Sequence, residues 1–268
     1  MNFKMMGRFT AQILFIEGLF LLPPLAISLC LSETAAIHGL LATLAFTILL
    51  AGGLFLSCRN ARNAFYATDG MVCVAFSWIV LSFIGALPFV ISGAIPSFVD
   101  ALFETVSGFT TTGASILTEI EPLGRGVLFW RSFTHWVGGM GVLVFVMFVV
   151  PLSEEHSMHI MRAEMPGPTV GKLVPRIRKT ATILYVIYAA LTVILTILLR
   201  LCGVNWFDAV IHALSTAGTG GFSSHGTSVA YFDSAAVDAV IAVFCLLFGV
   251  NFNLYFFLLI RRFRDVFT

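Results

Sequence analysis

Residues 100–115 read DALFETVSGFTTTGAS, and residues 208–223 read DAVIHALSTAGTGGFS. The second stretch lies 108 positions after the first and aligns with it without a gap. Asp100, Ala101, Ser107, Thr111, Gly113 and Ser115 recur as Asp208, Ala209, Ser215, Thr219, Gly221 and Ser223. In both, an apolar segment too short to cross a bilayer runs straight into a loop of Gly, Thr and Ser. An apolar segment of that length suits a re-entrant or interfacial position. Irregular backbone at membrane depth survives only where protein buries it or where it lines a water-filled cavity.

The rest of the chain supplies the membrane. Of 268 residues, 59% are hydrophobic and 11% charged. A soluble domain carries about 25% charged residues. A span needs about 20 mostly apolar residues, and six windows qualify: 10–31, 37–57, 71–92, 127–150, 181–202 and 235–260. Each short segment, 96–109 and 205–217, is preceded by one span and followed by another. Two spans separate equivalent points, so the repeats are parallel and not inverted. The expected fold is an all-α integral membrane protein. Two repeats of outer helix, pore helix, filter loop and inner helix follow an extra transmembrane helix pair. The boundaries are 1–65 for the leading pair, 66–152 for the first repeat, 153–179 for a cytoplasmic linker and 180–268 for the second repeat.

Charge sets the orientation. With six spans both ends lie on one side, which holds Lys4, Arg8, Arg59, Arg62, Arg162, Lys172, Arg176, Arg178, Lys179, Arg261, Arg262 and Arg264. Basic loops stay in the cytoplasm. The outer side keeps Arg125, Arg131 and Arg200 against Glu33, Asp100, Glu104, Glu119, Glu121, Asp208, Asp233 and Asp238. A negative vestibule concentrates cations. A pore loop of this kind would present backbone carbonyls in place of a cation's water shell. Glycine permits the unusual backbone angles, and the C-terminal end of each half-helix adds partial negative charge. No constellation suits a nucleophile or a general base, so an enzyme is not expected, and neither is a nucleic-acid partner. The basic end of the linker suits anionic lipid headgroups or a soluble partner.

Beyond the repeat, the stretches SGFTTTGAS (107–115) and STAGTGGFS (215–223) resemble the two first filter loops of Trk-type potassium transporter subunits, in the Trk/Ktr/HKT superfamily. WRSFTHWVGGMG (130–141) resembles the inner helix after the first filter, and GALPF (85–89) the end of the outer helix before it. The resemblance implies potassium uptake across a bacterial inner membrane through a ring of four filter strands. Coupling to protons or sodium stays open, and glycine at both central positions leans toward potassium. Carried onto this chain, the resemblance makes Gly113 and Gly221 the central glycines. Its potassium ligands are Thr110, Thr111, Thr112 and Gly113, then Gly218, Thr219, Gly220 and Gly221. It also implies a cytosolic nucleotide-binding regulatory subunit, a homodimer of pore subunits and no cofactor of the chain's own. Only two of four strands are present, so the chain is expected to be a piece of a longer one, with two copies closing a ring as the other arrangement. A non-conducting truncated subunit and a secondary transporter of another class are the competing functions.

Single residues complete the reading. Trp130, Trp136 and Trp206 are expected to anchor at the outer interface, and Arg131 to snorkel to outer headgroups. Asp100 and Asp208 are expected to cap the half-helices. Gly138, Gly139 and Gly141 suit close packing more than a hinge. Asn251 and Asn253 are expected deep in the last span, facing a bundle interior. His156 and His159 lack a third metal ligand, and the five cysteines are expected as apolar fillers. The apolar run from Ile13 is too long for a cleavable signal peptide. Glu17 stands in the first span without an assigned role.

Overall fold

A computed structural model describes residues 3–59, 67–141, 177–252 and 254–255. Every regular element among them is helical. Helix α1 (Phe3–Phe20) runs on into α2 (Leu22–Cys30), with prolines in the first turn of α2. Proline is tolerated there because a first-turn N–H has no helical acceptor. Helix α3 (Thr34–Ser57) returns across the membrane. The first repeat is α4 (Ala67–Ile91), the half-helix α5 (Phe98–Phe109) and α6 (Arg125–Gly139). The second is α7 (Ile177–Leu201), the half-helix α8 (Trp206–Ala217), a 3-10 turn at Ser228–Phe232 and α9 (Ala235–Gly249).

Among the described residues, four helical stretches are long and apolar enough to cross a membrane: Phe3–Cys30, Thr34–Ser57, Met71–Ile91 and Ala181–Leu201. The two inner helices are shorter than their apolar windows. Helix α6 ends at Gly139, with Gly141 in the left-handed region (φ 72°), and α9 ends at Gly249 before extended Val250. Asn251 therefore lies past the end of α9 and is exposed, while Asn253 falls outside the described residues. So do His156, His159 and nearly all of the linker.

The outward faces are apolar. Leu49 is 75% exposed, Leu56 71% and Leu246 75%. Exposure of that kind over several helices is costly in water and costs nothing against acyl chains. Several hydroxyl side chains in the spans bond to their own helix. Thr43, Thr47 and Ser77 each donate to the carbonyl four residues back, at 2.8, 2.7 and 2.6 Å. That arrangement leaves no open hydroxyl facing hydrocarbon.

Each repeat packs its half-helix between its own outer and inner helices, and the repeats meet where α6 lies against α8. The two largest buried clusters among the described residues lie one mainly under the first repeat and the leading helices and one under the second, with Trp136 and Met140 packed against both.

Candidate functional site

The two half-helices start alike. Ser97 and Asn205 are the N-caps, in extended conformation, and their side-chain oxygens accept from the amides of Asp100 and Asp208 at 3.4 and 3.0 Å. The capping expectation for Asp100 and Asp208 is thus corrected. A cap must precede the first helical turn, and these aspartates stand inside it, where a carboxylate still favours the positive helix end.

The loops after the half-helices also match. Thr110, Thr111 and Thr112 donate their amides to Val106, Gly108 and Ser107 at 2.9, 3.0 and 2.9 Å. Gly218, Thr219 and Gly220 donate to Leu214, Thr216 and Ser215 at 3.2, 2.9 and 3.1 Å. These are equivalent pairs throughout. The backbone angles repeat as well: φ is +56° at both Thr111 and Thr219, and +76° and +95° at Gly113 and Gly221. A β-branched residue at positive φ is a genuine outlier. Here two occur at one register, and such strain gathers at functional sites. Alternating left- and right-handed residues aim successive N–H groups to one side. Peptide planarity then sends the carbonyls to the other. The N–H side faces the half-helix, and among the described residues no backbone amide donates to a carbonyl of 110–113 or 218–221.

The two loops touch. A Cβ on Gly113 would overlap the Gly220 carbonyl oxygen, whereas a Cβ on Gly221 would meet nothing within 4 Å. Helix α6 wedges behind both. Gly138 lies against the Phe109 carbonyl, and Gly139 against the Cα of Gly218 (2.7 Å from an added Cβ). The His135 ring stacks on Phe222 at 3.9 Å and fills the space where Gly220 would carry a side chain. Gly138 and Gly139 serve close packing, as expected.

Behind the loops sits a polar frame that differs between repeats. In the first, Glu104 is buried and pairs with Arg131, whose Nε lies 2.6 Å from Oε1. Glu104 also accepts from Ser115 Oγ at 2.8 Å and from the Ile116 amide at 3.1 Å. In the second, His212 replaces Glu104 at the equivalent position. Its Nε2 meets Ser223 Oγ at 3.0 Å, and its Nδ1 meets the Asp208 carbonyl at 2.8 Å. Asp208 takes Asn205 Nδ2, Ser224 Oγ and His225 Nε2 at 2.6, 2.6 and 3.0 Å. Ser115 and Ser223 thus bind the same helical position in both repeats, through different chemistry.

Several expectations change here. Arg131 does not snorkel outward. It is 2% exposed, because Glu104 offers a partner inside. Trp130 is buried and donates to the Gly85 carbonyl at 2.9 Å, and Trp136 reaches Thr192 Oγ1 at 3.1 Å. Trp206, at 61% exposed, suits an interface anchor. Part of the acidic vestibule is structural. Glu33 accepts from the first amides of α6, Arg125 and Gly126, at 2.7 and 3.0 Å. Glu121 accepts from the Gly226 amide at 2.8 Å, which holds its carboxyl below the usual range. Asp100, Glu119, Asp233 and Asp238 stay exposed. Of the cysteines only Cys73 is buried. Glu17 is fully buried, and among the described residues its carboxyl oxygens have no hydrogen-bond partner. No cluster of metal-ligating side chains occurs among the described residues.

A family model described as TrkH, cation transport protein, matches residues 37–266. The chain belongs to the TrkH family. It is 38% identical to the Trk system potassium uptake protein TrkH of Halomonas elongata over 258 residues, 96% of this chain and 53% of that protein. It is 40% identical to TrkH of Escherichia coli (strain K12) over 206 residues, 76% of this chain and 43% of that protein. Among solved structures, that of the potassium transporter TrkH from Vibrio parahaemolyticus aligns with a TM-score of 0.81 at 32% identity, covering 96% of this chain and 52% of that one. The chain spans about half the length of these TrkH relatives. Membership of the TrkH family agrees with the all-helical membrane fold.

Proposed function

We propose that this chain supplies two of four filter strands to a potassium uptake pore in the cytoplasmic membrane of a bacterium. The observation that carries the reading is the matched pair of strained loops, with Thr111 and Thr219 both at φ +56° and their carbonyls free of backbone donors among the described residues. A dehydrated cation needs a set of fixed oxygens in place of water, and such loops can offer them. The ligands are the carbonyls of Thr110, Thr111, Thr112 and Gly113, with those of Gly218, Thr219, Gly220 and Gly221. Residues 66–152 and 180–268 are the two repeats, 1–65 the leading pair and 153–179 a cytoplasmic linker, and both ends of the chain face the cytoplasm. Potassium as cargo follows from what the relatives are named for. Two further strands complete the ring. A second pore subunit and a cytosolic nucleotide-binding regulator are the partners, and coupling to another ion is part of the same reading.

The test is growth rescue. The protein containing this chain, expressed in a bacterium stripped of potassium uptake, restores growth at low potassium and takes up rubidium. Gly113→Trp abolishes both without loss of membrane insertion. Undiminished rubidium uptake by that variant sinks the reading.

A further inference from the structure

We infer that the Arg131 guanidinium is a positioning group that sets the spacing between the two filter loops, and through it the preference for potassium over sodium. The inference rests on the pore reading above and deepens it.

Three contacts converge on one buried side chain. Nε meets Glu104 Oε1 at 2.6 Å. Through that carboxylate the guanidinium reaches the tail of the first loop, since Glu104 also holds Ser115 Oγ and the Ile116 amide at 2.8 and 3.1 Å. Nη1 donates to the Ser223 carbonyl at 3.0 Å, in the tail of the second loop. The guanidinium carbon stands 3.7 Å over the Phe222 ring, next to Gly221. One rigid fork therefore touches the residues just after the second loop and, through Glu104, is tied to those just after the first. The arrangement is not repeated: the inner helix of the second repeat, Ala235–Gly249, contains no arginine or lysine, and the position equivalent to Glu104 is His212.

Stability alone is a weak reason for such a group. A buried ion pair replaced by apolar side chains of similar size is often neutral or stabilising. What the apolar pair lacks is geometry. Guanidinium is planar, with donors in fixed directions, so its distances to Glu104 and Ser223 are set together. A lysine at 131 still neutralises Glu104 but cannot also hold the Ser223 carbonyl and lie flat on Phe222. Carbonyl ligands discriminate between cations by cavity size and by the number and field strength of their dipoles, and loop spacing sets both.

The experiment measures potassium and sodium uptake separately, together with the extra thermal stability that each ion gives the purified protein. Arg131→Lys is expected to lower the potassium-over-sodium ratio at least tenfold, with protein yield near the original. Phe222→Leu leaves the ion pair in place, removes the surface under the guanidinium, and is expected to lower the ratio at least threefold. It decides the matter if Arg131→Lys does not fold. An unchanged ratio in the variant that folds overturns the inference, even where total uptake falls, because a purely structural role lowers both ions in proportion. An original protein that carries neither ion overturns the pore reading instead, and the ion-dependent stability difference still reports on Arg131.

Discussion

Alanine at the two central glycines separates what this chain fixes by itself from what the completed ring adds. Both residues have positive φ, +76° at Gly113 and +95° at Gly221. An L side chain in the left-handed region costs roughly 1–2 kcal/mol, so both variants carry that strain. Only Gly113→Ala adds an overlap. Its Cβ would run into the Gly220 carbonyl oxygen and sit 2.8 Å from the Gly220 carbonyl carbon. Ordinary carbon–carbon contact is about 3.5–4.0 Å, and the obstacle is backbone that its own hydrogen bond to Ser215 restrains. Overpacking of this kind costs about 1–3 kcal/mol. In the isolated chain, Gly113→Ala is therefore expected to cost about 2–5 kcal/mol and Gly221→Ala about 1–2. At about 2–4 °C per kcal/mol, Gly113→Ala melts several degrees lower in detergent than Gly221→Ala. Uptake by the assembled transporter should look different. The open side of Gly221 is where a third strand would stand if the contact between the first two strands repeats around the axis. Gly221→Ala then meets a carbonyl too, and both variants lose uptake alike. Equal melting of the two variants in the isolated chain refutes the steric argument. Severe loss from Gly113→Ala beside near-normal uptake from Gly221→Ala refutes the closed ring.

Gly52 and Gly53 lie in α3 with nothing within 4 Å of an added Cβ. Alanine at either is expected to raise stability by up to about 1 kcal/mol, measured by thermal unfolding in detergent. Gly138→Ala forces a Cβ onto the Phe109 carbonyl at the base of the first loop; rubidium uptake should fall at least tenfold while Gly52→Ala leaves it unchanged. Trp130→Phe removes the buried donation to Gly85 and is expected to cost about 1 kcal/mol, read as a lower melting temperature. The Glu121 carboxyl is held below its ordinary value of 4.5, first by the Gly226 amide. A depressed carboxyl stabilises fully above the unfolded value and loses that contribution as pH falls through the folded one. The tie between the two outer loops is thus expected to weaken only below about pH 4.5, and Glu121→Ala should flatten the acid side of the stability profile.

Much of this was legible from one alignment of the chain with itself. The 108-residue offset located both half-helices, both loops and the glycines that need positive φ, because that demand falls on residue type. The strain at Thr111 and Thr219 was invisible, since threonine ordinarily avoids that region and only the hydrogen-bond pattern imposes it. At α6 and α9 the helix ends before the apolar run does, at Gly139 and Gly249. Side chains whose partners lie far away in sequence were misread. Arg131 looked like a surface cation because Glu104 is 27 residues away and Ser223 is 92. Trp130 looked like a membrane anchor, though its indole reaches 45 residues back to Gly85. Composition marks an outer loop, but it does not say which of the acids there are already engaged.

The two repeats keep their loop backbone alike and let its supports diverge. The amide-to-carbonyl pairs of residues 110–112 and 218–220 match, whereas the support is an arginine–glutamate ion pair in one repeat and histidine with serine and aspartate in the other. A ring of four identical strands would impose one geometry on every support. Here Arg131 reaches across from the first repeat to the second, and the inner helix of the second repeat carries no basic residue to reach back. Error in the position of the second loop is therefore corrected from one side only. The second loop must rely on its own network, in which Ser223 links His212, the His225 amide and the Arg131 guanidinium. Ser223→Ala removes the hydroxyl from two of those links and leaves the carbonyl that Arg131 holds. It should disturb selectivity less than Arg131→Lys and more than Ser115→Ala, because Glu104 keeps the Ile116 amide when Ser115 loses its hydroxyl. Measured as potassium-over-sodium uptake ratios, the opposite order of the two serine variants would mean that the first loop, not the second, is the less firmly held.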